Sequence, residues 1–177
     1  MKQAHSLPSC QTRPATLRDA TVIAEIHVAA TSAAGTAGVP APQSGPQSAQ
    51  RQQVFWREAI EFGEPQLVVA CDGDTVLGFV GFDRCRDKGT ASTMGEIWSI
   101  YVLQAHWDRG VGLALWDAAR EGLQEEGCTD VSVWVALGNE RALRFHELAG
   151  FKKELSSART TPVGGIRVDE IRLKRKL

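Results

Sequence analysis

The chain has one tyrosine, two methionines and four cysteines in 177 residues. The cysteines (Cys10, Cys71, Cys85 and Cys128) form no CxxC pair and no metal-ligand spacing with the four histidines, which excludes a zinc ribbon or a redox dithiol motif. Free thiols in a reducing cytoplasm are the simplest expectation. No apolar run approaches the roughly 18 residues of a membrane span. No apolar core precedes Pro8, so the start does not read as a secretory signal. Neither charge is in excess: 20 Lys and Arg face 21 Asp and Glu, a net of −1, so no global field recruits nucleic acid or an anionic membrane. The basic tail Lys174-Arg175-Lys176 is too short to alter that. There is no GxxxxGK[ST], and no GxGxxG followed by an acid about 20 positions on, so the P-loop and the dinucleotide fingerprint are both missing. No internal repeat is visible.

What remains is an ordinary globular composition, 43% apolar and 23% charged, at a length that suits one domain. Residues 1–10 read as a disordered lead-in and 11–177 as a single domain. Gln11 to Ala15 is a strand interrupted by Pro14, which places it at a sheet edge. Thr16 and Asp19 form a capping box that opens a helix carrying Val22, Ile23, Ile26 and Ala30 at helical spacing; His27 lies one step off that stripe. Residues 31–50, rich in Gly, Pro, Ser, Ala and Gln, read as a mobile, lid-like loop. A second helix is expected over 50–62, with Phe55, Ala59 and Phe62 inward. Asp72-Gly73-Asp74 joins strands 66–71 and 75–83 as a hairpin.

The centre of the chain is Met94 to Gly112. Residues 93–103 carry large apolar groups at Ile97, Trp98, Ile100, Tyr101 and Val102 and read as a strand buried on both faces. It runs into Arg109-Gly110-Val111-Gly112 and then a helix with Val111, Leu115, Ala118 and Gly122 on its stripe. Glycines let a backbone approach a ligand closely, and the first amides of a helix are unpaired and partly positive. Such a turn is either a plain strand-helix connection or a phosphate site. A strand with Val131, Val133 and Val135 follows. Asn139 then caps a helix facing inward through Ala142, Phe145 and Ala149, and Gly150-Phe151 closes it. Strands near 151–160 and 166–175 are joined by residues 161–165. The order β-α-α-β-β-β-α-β-α-β-β implies an α/β mixed sheet flanked by helices.

Three stretches resemble one family. EIWSIYVLQAHWDRGVGLALWDAA is similar to motif A of the GNAT superfamily of acyl-CoA-dependent N-acyltransferases. Asn139 to Phe151 resembles its NxxAxxFYxxxGF signature, and RPATLRDATVIAEIH its first strand and helix. The resemblance implies a sheet of about seven strands with four helices and a splayed parallel pair at its centre. It implies acetyl-CoA as co-substrate and no metal. The amides around Trp107, Arg109, Gly110, Val111, Gly112, Leu113 and Ala114 would hold the pyrophosphate. Ile100, Tyr101 and Val102 would carry the pantetheine arm, and a backbone N–H near Val102 or Leu103 would polarise the carbonyl. Asn139 would reach the pantetheine, and Phe145 would lie beside the cofactor.

The reaction it implies is direct attack of an amine on the thioester in a ternary complex. Glu96 is the first candidate for the base. His146 stands where the family commonly has a tyrosine that protonates the departing thiolate, and Tyr101 is the other candidate acid. Trp107 replaces the usual Gln or Arg that opens the motif. The acceptor pocket is expected between 31–56 and 156–167, where Trp56, Trp98 and Arg159 are candidate lining residues. The expected acceptor is a primary amine on a small molecule, with a protein N-terminus or lysine as the alternative. A non-catalytic acyl-CoA sensor is the alternative of another class. Family members often pair through sheet edges or C-terminal strands, so a homodimer is a state the resemblance allows.

Overall fold

A computed structural model describes the backbone of residues 10–34, 46–163 and 166–177. The lead-in 1–9 and most of the expected loop, 35–45, lie outside the described residues. Seven strands form one sheet in the order β1-β2-β3-β4-β5-β7-β6. They are β1 (Gln11–Pro14), β2 (Gln66–Asp72), β3 (Thr75–Arg84), β4 (Met94–Val102), β5 (Asp130–Ala136), β6 (Lys152–Val163) and β7 (Ile166–Lys176). Four helices accompany them among the described residues: α1 (Ala20–Ala34), α2 (Pro46–Phe62), α3 (Val111–Glu125) and α4 (Glu140–Leu148). All neighbouring strands are antiparallel except β4 and β5. None of these helices is long and apolar enough to cross a membrane.

Each edge of the architecture has a local cause. Pro14 cannot donate to a ladder, and β1 is indeed an outer strand. The Asp19 carboxylate accepts from the Thr16 amide at 2.8 Å and Arg13 adds an ion pair at 2.7 Å; the capping box first supports a 3-10 turn, Leu17–Asp19, from which α1 continues. Gly73 takes the positive φ of the hairpin turn. At the end of α4 the Phe151 amide donates to the His146 carbonyl and the Gly150 amide to the Glu147 carbonyl, with Gly150 at φ +89: a Schellman motif.

Helices cover the sheet on both faces. On one, Val111, Leu115, Trp116, Ala119 and Leu123 of α3 and Leu143 of α4 pack on Val80, Ile97, Val131, Val133 and Leu173. Each such fully buried leucine contributes about 2 kcal/mol of apolar transfer. On the other, Ile23 and Ile26 of α1 and Trp56 and Ala59 of α2 pack on Val69, Val76 and Phe79.

Four expectations need correction. First, residues 31–34 and 46–50 are helical, so the connection between α1 and α2 is shorter than 31–50. Second, α2 turns Trp56 and Ala59 inward, while Phe55 and Phe62 are 47% and 77% exposed; the stripe is one residue out of phase with the one read from Phe55. Third, α3 and α4 bury Leu123 and Leu143 where small residues (Ala118, Gly122, Ala142) were expected to face inward, because small residues flank the stripe and permit close approach. A Cβ on Gly122 would stand 2.6 Å from the Phe82 ring. Fourth, Thr161, Pro162 and Val163 belong to β6, paired as far as Val163↔Ile166, so the final hairpin is tighter than a five-residue loop.

The close approach of β3 to the end of β4 gives a test. A Cβ on Gly78 would lie 2.6 Å from the Tyr101 carbonyl oxygen, a backbone atom that cannot rotate away. Gly78→Ala should cost about 1–3 kcal/mol in chemical denaturation, and an unchanged midpoint would contradict the packing described.

Candidate active site

The site begins where a ladder stops. β4 and β5 pair from Met94↔Asp130 to Ile97↔Val133 and no further, although β4 runs on to Val102 and β5 to Ala136. The break coincides with a bulge. Gly81 faces Ser99 and Phe82 faces Ile97, so β4 carries one extra residue, Trp98, against β3. The bulge puts Ile97 and Ile100, three apart, against the same core, while Tyr101 and Leu103 join the opposite one.

Beyond the break β4 has one strand neighbour. The Leu103 amide donates to the Leu77 carbonyl at 3.0 Å, so alternate residues point to β3. Alternation then turns the N–H and C=O of Ile100 and Val102 toward the gap left by β5. One of these groups is met: the Trp107 indole N–H donates to the Val102 carbonyl at 2.9 Å. The Ile100 N–H and C=O and the Val102 N–H have no strand partner there. This is an open, strand-like rail, suited to a flexible arm carrying amides.

The turn follows at once. After a 3-10 segment, Gln104–His106, Asp108 takes φ +58 and Gly110, the N-cap of α3, takes φ +79. Gly110 offers no side chain to cap the first amides of α3, so these donors stay open to an anion. Nothing lies within 4 Å of a Cβ built on Gly110; its glycine answers a conformational demand and leaves space for a ligand. Gly112 differs. Its Cβ would stand 3.1 Å from the Phe145 ring, so this glycine serves the approach of α4 to α3.

The other expected cofactor residues fall around this turn. Val111 is core, so its backbone alone is available, and Leu113 is half exposed. The Ala114 amide is already bound to the Gly110 carbonyl at 3.0 Å. Arg109 is exposed and makes no ion pair among the described residues. Arg141 stacks 4.1 Å over Trp107 and pairs with Asp108 at 3.0 Å, tying α4 to the turn. The Asn139 side-chain oxygen caps α4 through the Ala142 amide at 3.1 Å.

The three proposed proton carriers are not brought together. Glu96 is 2% exposed, and its carboxylate accepts from the Arg86 backbone amide at 2.9 Å and from the Arg86 guanidinium at 2.6 and 3.3 Å. Alternation with Ile97 puts it on the α1–α2 face. Tyr101 shares that face. Its ring stacks on His27 at 4.9 Å, and burial raises the phenol pKa. His146 is 3% exposed on the α3–α4 face, between the Phe145 and Phe151 rings. Its partner is a carbonyl, Ala142 O at 2.8 Å, so Nδ1 carries the proton and donates within its own helix.

Other aromatic and charged side chains are brought together here, and Trp134, Asp87 and Arg172 among them were not expected site residues. His27 Nδ1 accepts from the Trp56 indole at 3.2 Å; the expected lining residue Trp56 is itself 2% exposed and belongs to the core. Trp98, half buried, lies under the Arg86 guanidinium at 3.9 Å. Trp134 lies under Arg159 at 3.5 Å and donates to Asp87 at 3.0 Å. Arg172 pairs with Asp87 at 2.9 Å and Glu154 at 2.6 Å. Desolvation alone would raise the Asp87 carboxyl, but the bonds from Arg172 and Trp134 outweigh it and hold the carboxyl below its usual range. Period two could have revealed Trp134, since Val131, Val133 and Val135 face the α3–α4 core and the residues between them must face away. Among the described residues no group of three or more His, Cys, Asp or Glu could hold a metal.

Comparison with known proteins agrees with this outline. The family model described as "Acetyltransferase (GNAT) family" matches residues 36–151. Mycothiol acetyltransferase of Kocuria rhizophila is 30% identical over 82 residues, 46% of this chain and 27% of the relative, so the match spans about a quarter of that protein's length. The solved structure of yncA from Salmonella typhimurium with its cofactor acetyl-CoA superposes with a TM-score of 0.72 at 19% identity, covering 96% of this chain and 94% of the other. Ribosomal-protein-alanine N-acetyltransferase from Brucella melitensis gives 0.73 at 17%, covering 94% and 99%. At these identities the structural likeness establishes the fold alone.

Burial depresses the His146 pKa below its ordinary 6.5. As pH falls the unfolded chain takes the proton first, so the stability tied to neutral His146 is full above about 6.5 and is lost as pH falls through and below that value. His27, also depressed by burial, adds to the loss. His146→Phe should therefore show a shallower fall in stability from pH 7 to 5, by at most about 1.4 kcal/mol per pH unit. Denaturant melts across that range check it, and an unchanged slope would contradict a buried neutral ring.

Proposed function

Since the chain belongs to the GNAT acetyltransferase family, we propose that it transfers the acetyl group of acetyl-CoA to a primary amine of a small molecule. The observation that carries this reading is the interrupted β4–β5 ladder, with an uncapped helix N-terminus beyond its end. The Ile100 N–H and C=O would pair with the amides of the pantetheine arm. The open α3 amides behind Gly110 would hold the pyrophosphate, with Arg109 at the mouth. Bound acetyl-CoA supplies an activated acyl group in its thioester. The Val102 N–H would polarise the thioester carbonyl.

The amine must lose a proton before or during attack. Glu96 is the carboxylate carried by β4 itself, and we assign proton acceptance to it, directly or through water. Its Oε1 accepts one bond from Arg86 and its Oε2 two, so Oε1 would take the proton. A second reading, that Glu96 only anchors Arg86 over Trp98, is favoured by its three bonds from Arg86. Of the two candidate acids, Tyr101 shares the face of Glu96, whereas His146 would have to leave its packed position to meet a thiolate. Arg159, held between Trp134 and Glu170, would line the acceptor pocket and favour a small acceptor. The relatives' names point both ways, one to mycothiol and one to a ribosomal protein, so the acceptor is read from the site.

An amine panel with acetyl-CoA, scored by free thiol and product mass, tests the reading. Release of thiol with a small primary amine supports it. Tight CoA binding with no amine-dependent thiol release would leave only an acyl-CoA sensor, and transfer to peptides alone would move the acceptor class. In the same assay Glu96→Gln should lower kcat at least about a hundredfold if it is the base. Equal loss of stability in Glu96→Gln and Arg86→Ala with kcat intact would leave Glu96 as an anchor. Gly110→Asp should weaken CoA binding about tenfold or more, since it adds charge and a strained φ at the open amides. Retained affinity would move the pyrophosphate elsewhere.

A further inference from the structure

The side chain that departs from the family pattern, Trp107, has a defined contact. Its indole N–H donates to the Val102 carbonyl at 2.9 Å. The same peptide unit is held from its other side, where the Leu103 amide donates to the Leu77 carbonyl at 3.0 Å. Val102 O and Leu103 N belong to one planar group, so this last peptide of β4 is pinned at both ends. The Trp107 pin stands where a β5 partner would be in an unbroken sheet. Behind it the indole is braced by Arg141, 4.1 Å over the ring, and Arg141 is fixed by Asp108 at 3.0 Å.

We infer that Trp107 is a positioning residue for the acyl-CoA arm, replacing the lost strand partner at the end of β4 so that the Ile100 and Val102 groups hold their alignment without β5. This rests on the proposed cofactor role of the splayed strand. Two consequences follow. The Val102 carbonyl already accepts from Trp107, so the groups left without a partner for the arm are the Ile100 N–H and C=O and the Val102 N–H. The pin also lies between the rail and the turn, so losing it should loosen the rail while leaving the phosphate amides in place.

The test is calorimetric. Trp107→Phe keeps an aromatic ring under Arg141 and deletes the donor. CoA should bind it about fivefold more weakly than wild type, the scale of one net hydrogen bond. Adenosine 3′-phosphate 5′-diphosphate, which has the pyrophosphate and lacks the pantetheine arm, should bind both proteins equally. Should Trp107→Phe fail to fold, 3-benzothienylalanine at position 107 preserves the indole shape with sulfur in place of N–H, and the same split is expected. Unchanged CoA affinity, or equal weakening of both ligands, would overturn the inference. Failure of the wild-type protein to bind CoA at all would instead overturn the function on which the inference stands, and the inference with it.

Discussion

The structure depends on one interruption. A parallel pair in mid-sheet ordinarily continues for the length of its strands, because each unpaired backbone group away from water costs free energy. Here β4 and β5 stay together only to Ile97↔Val133. The extra residue at Trp98 increases the local twist and bends β4. Two strands then leave each other in the centre of the sheet, and the backbone groups they abandon face the gap between them. The rest of the fold makes that opening tolerable: β3 holds one side of β4 throughout, and β7 holds the far side of β5 to Ala136.

The two faces of the sheet divide the work. α3 and α4 pack against the first face, and the approach of Phe145 to Gly112 sets how closely α4 meets the start of α3. The other face is apolar only where α1 and α2 cover it. Over β5 and β7 it carries Trp134, Arg172, Asp87, Glu154 and Arg159, joined in ion pairs. The open amides of α3 and this charged cluster thus lie toward opposite faces of the sheet. Glu96 and Tyr101 lie on one side and His146 on the other, so a proton path through all three would have to cross the sheet.

Much of this was legible in the residues. Order and type of all the elements followed from period and punctuation: Pro14 at an edge, Asp72-Gly73 in a hairpin, Asn139 and Gly150 bounding α4. These signals are local, and local geometry obeys them. The helix stripes went wrong where small residues were taken for inward ones, since Gly122 and Ala142 serve close approach beside the true stripe of Leu123 and Leu143. The glycine turn is legible, but the reason for Gly112 depends on Phe145, 33 positions away in the chain, whereas Gly110 answers its own positive φ. Trp107 was visible only as a departure from a pattern. Its bond to Val102 needs the turn to fold back on the strand, and spacing does not report that. The Asp87, Trp134 and Arg172 cluster is similarly a product of topology, since three distant segments supply it.

The most direct measurement is residue-resolved amide hydrogen exchange with and without CoA. The Leu103 amide, bonded to β3, should be protected in both states. The Ile100 and Val102 amides, facing the gap, should exchange readily in the free protein; CoA should protect Ile100, and acetyl-CoA, which brings the thioester carbonyl, should protect Val102 as well. Protection of Ile100 and Val102 in the free protein, or CoA binding that leaves both amides exchanging as before, would contradict the claim that the splayed end of β4 receives the cofactor arm.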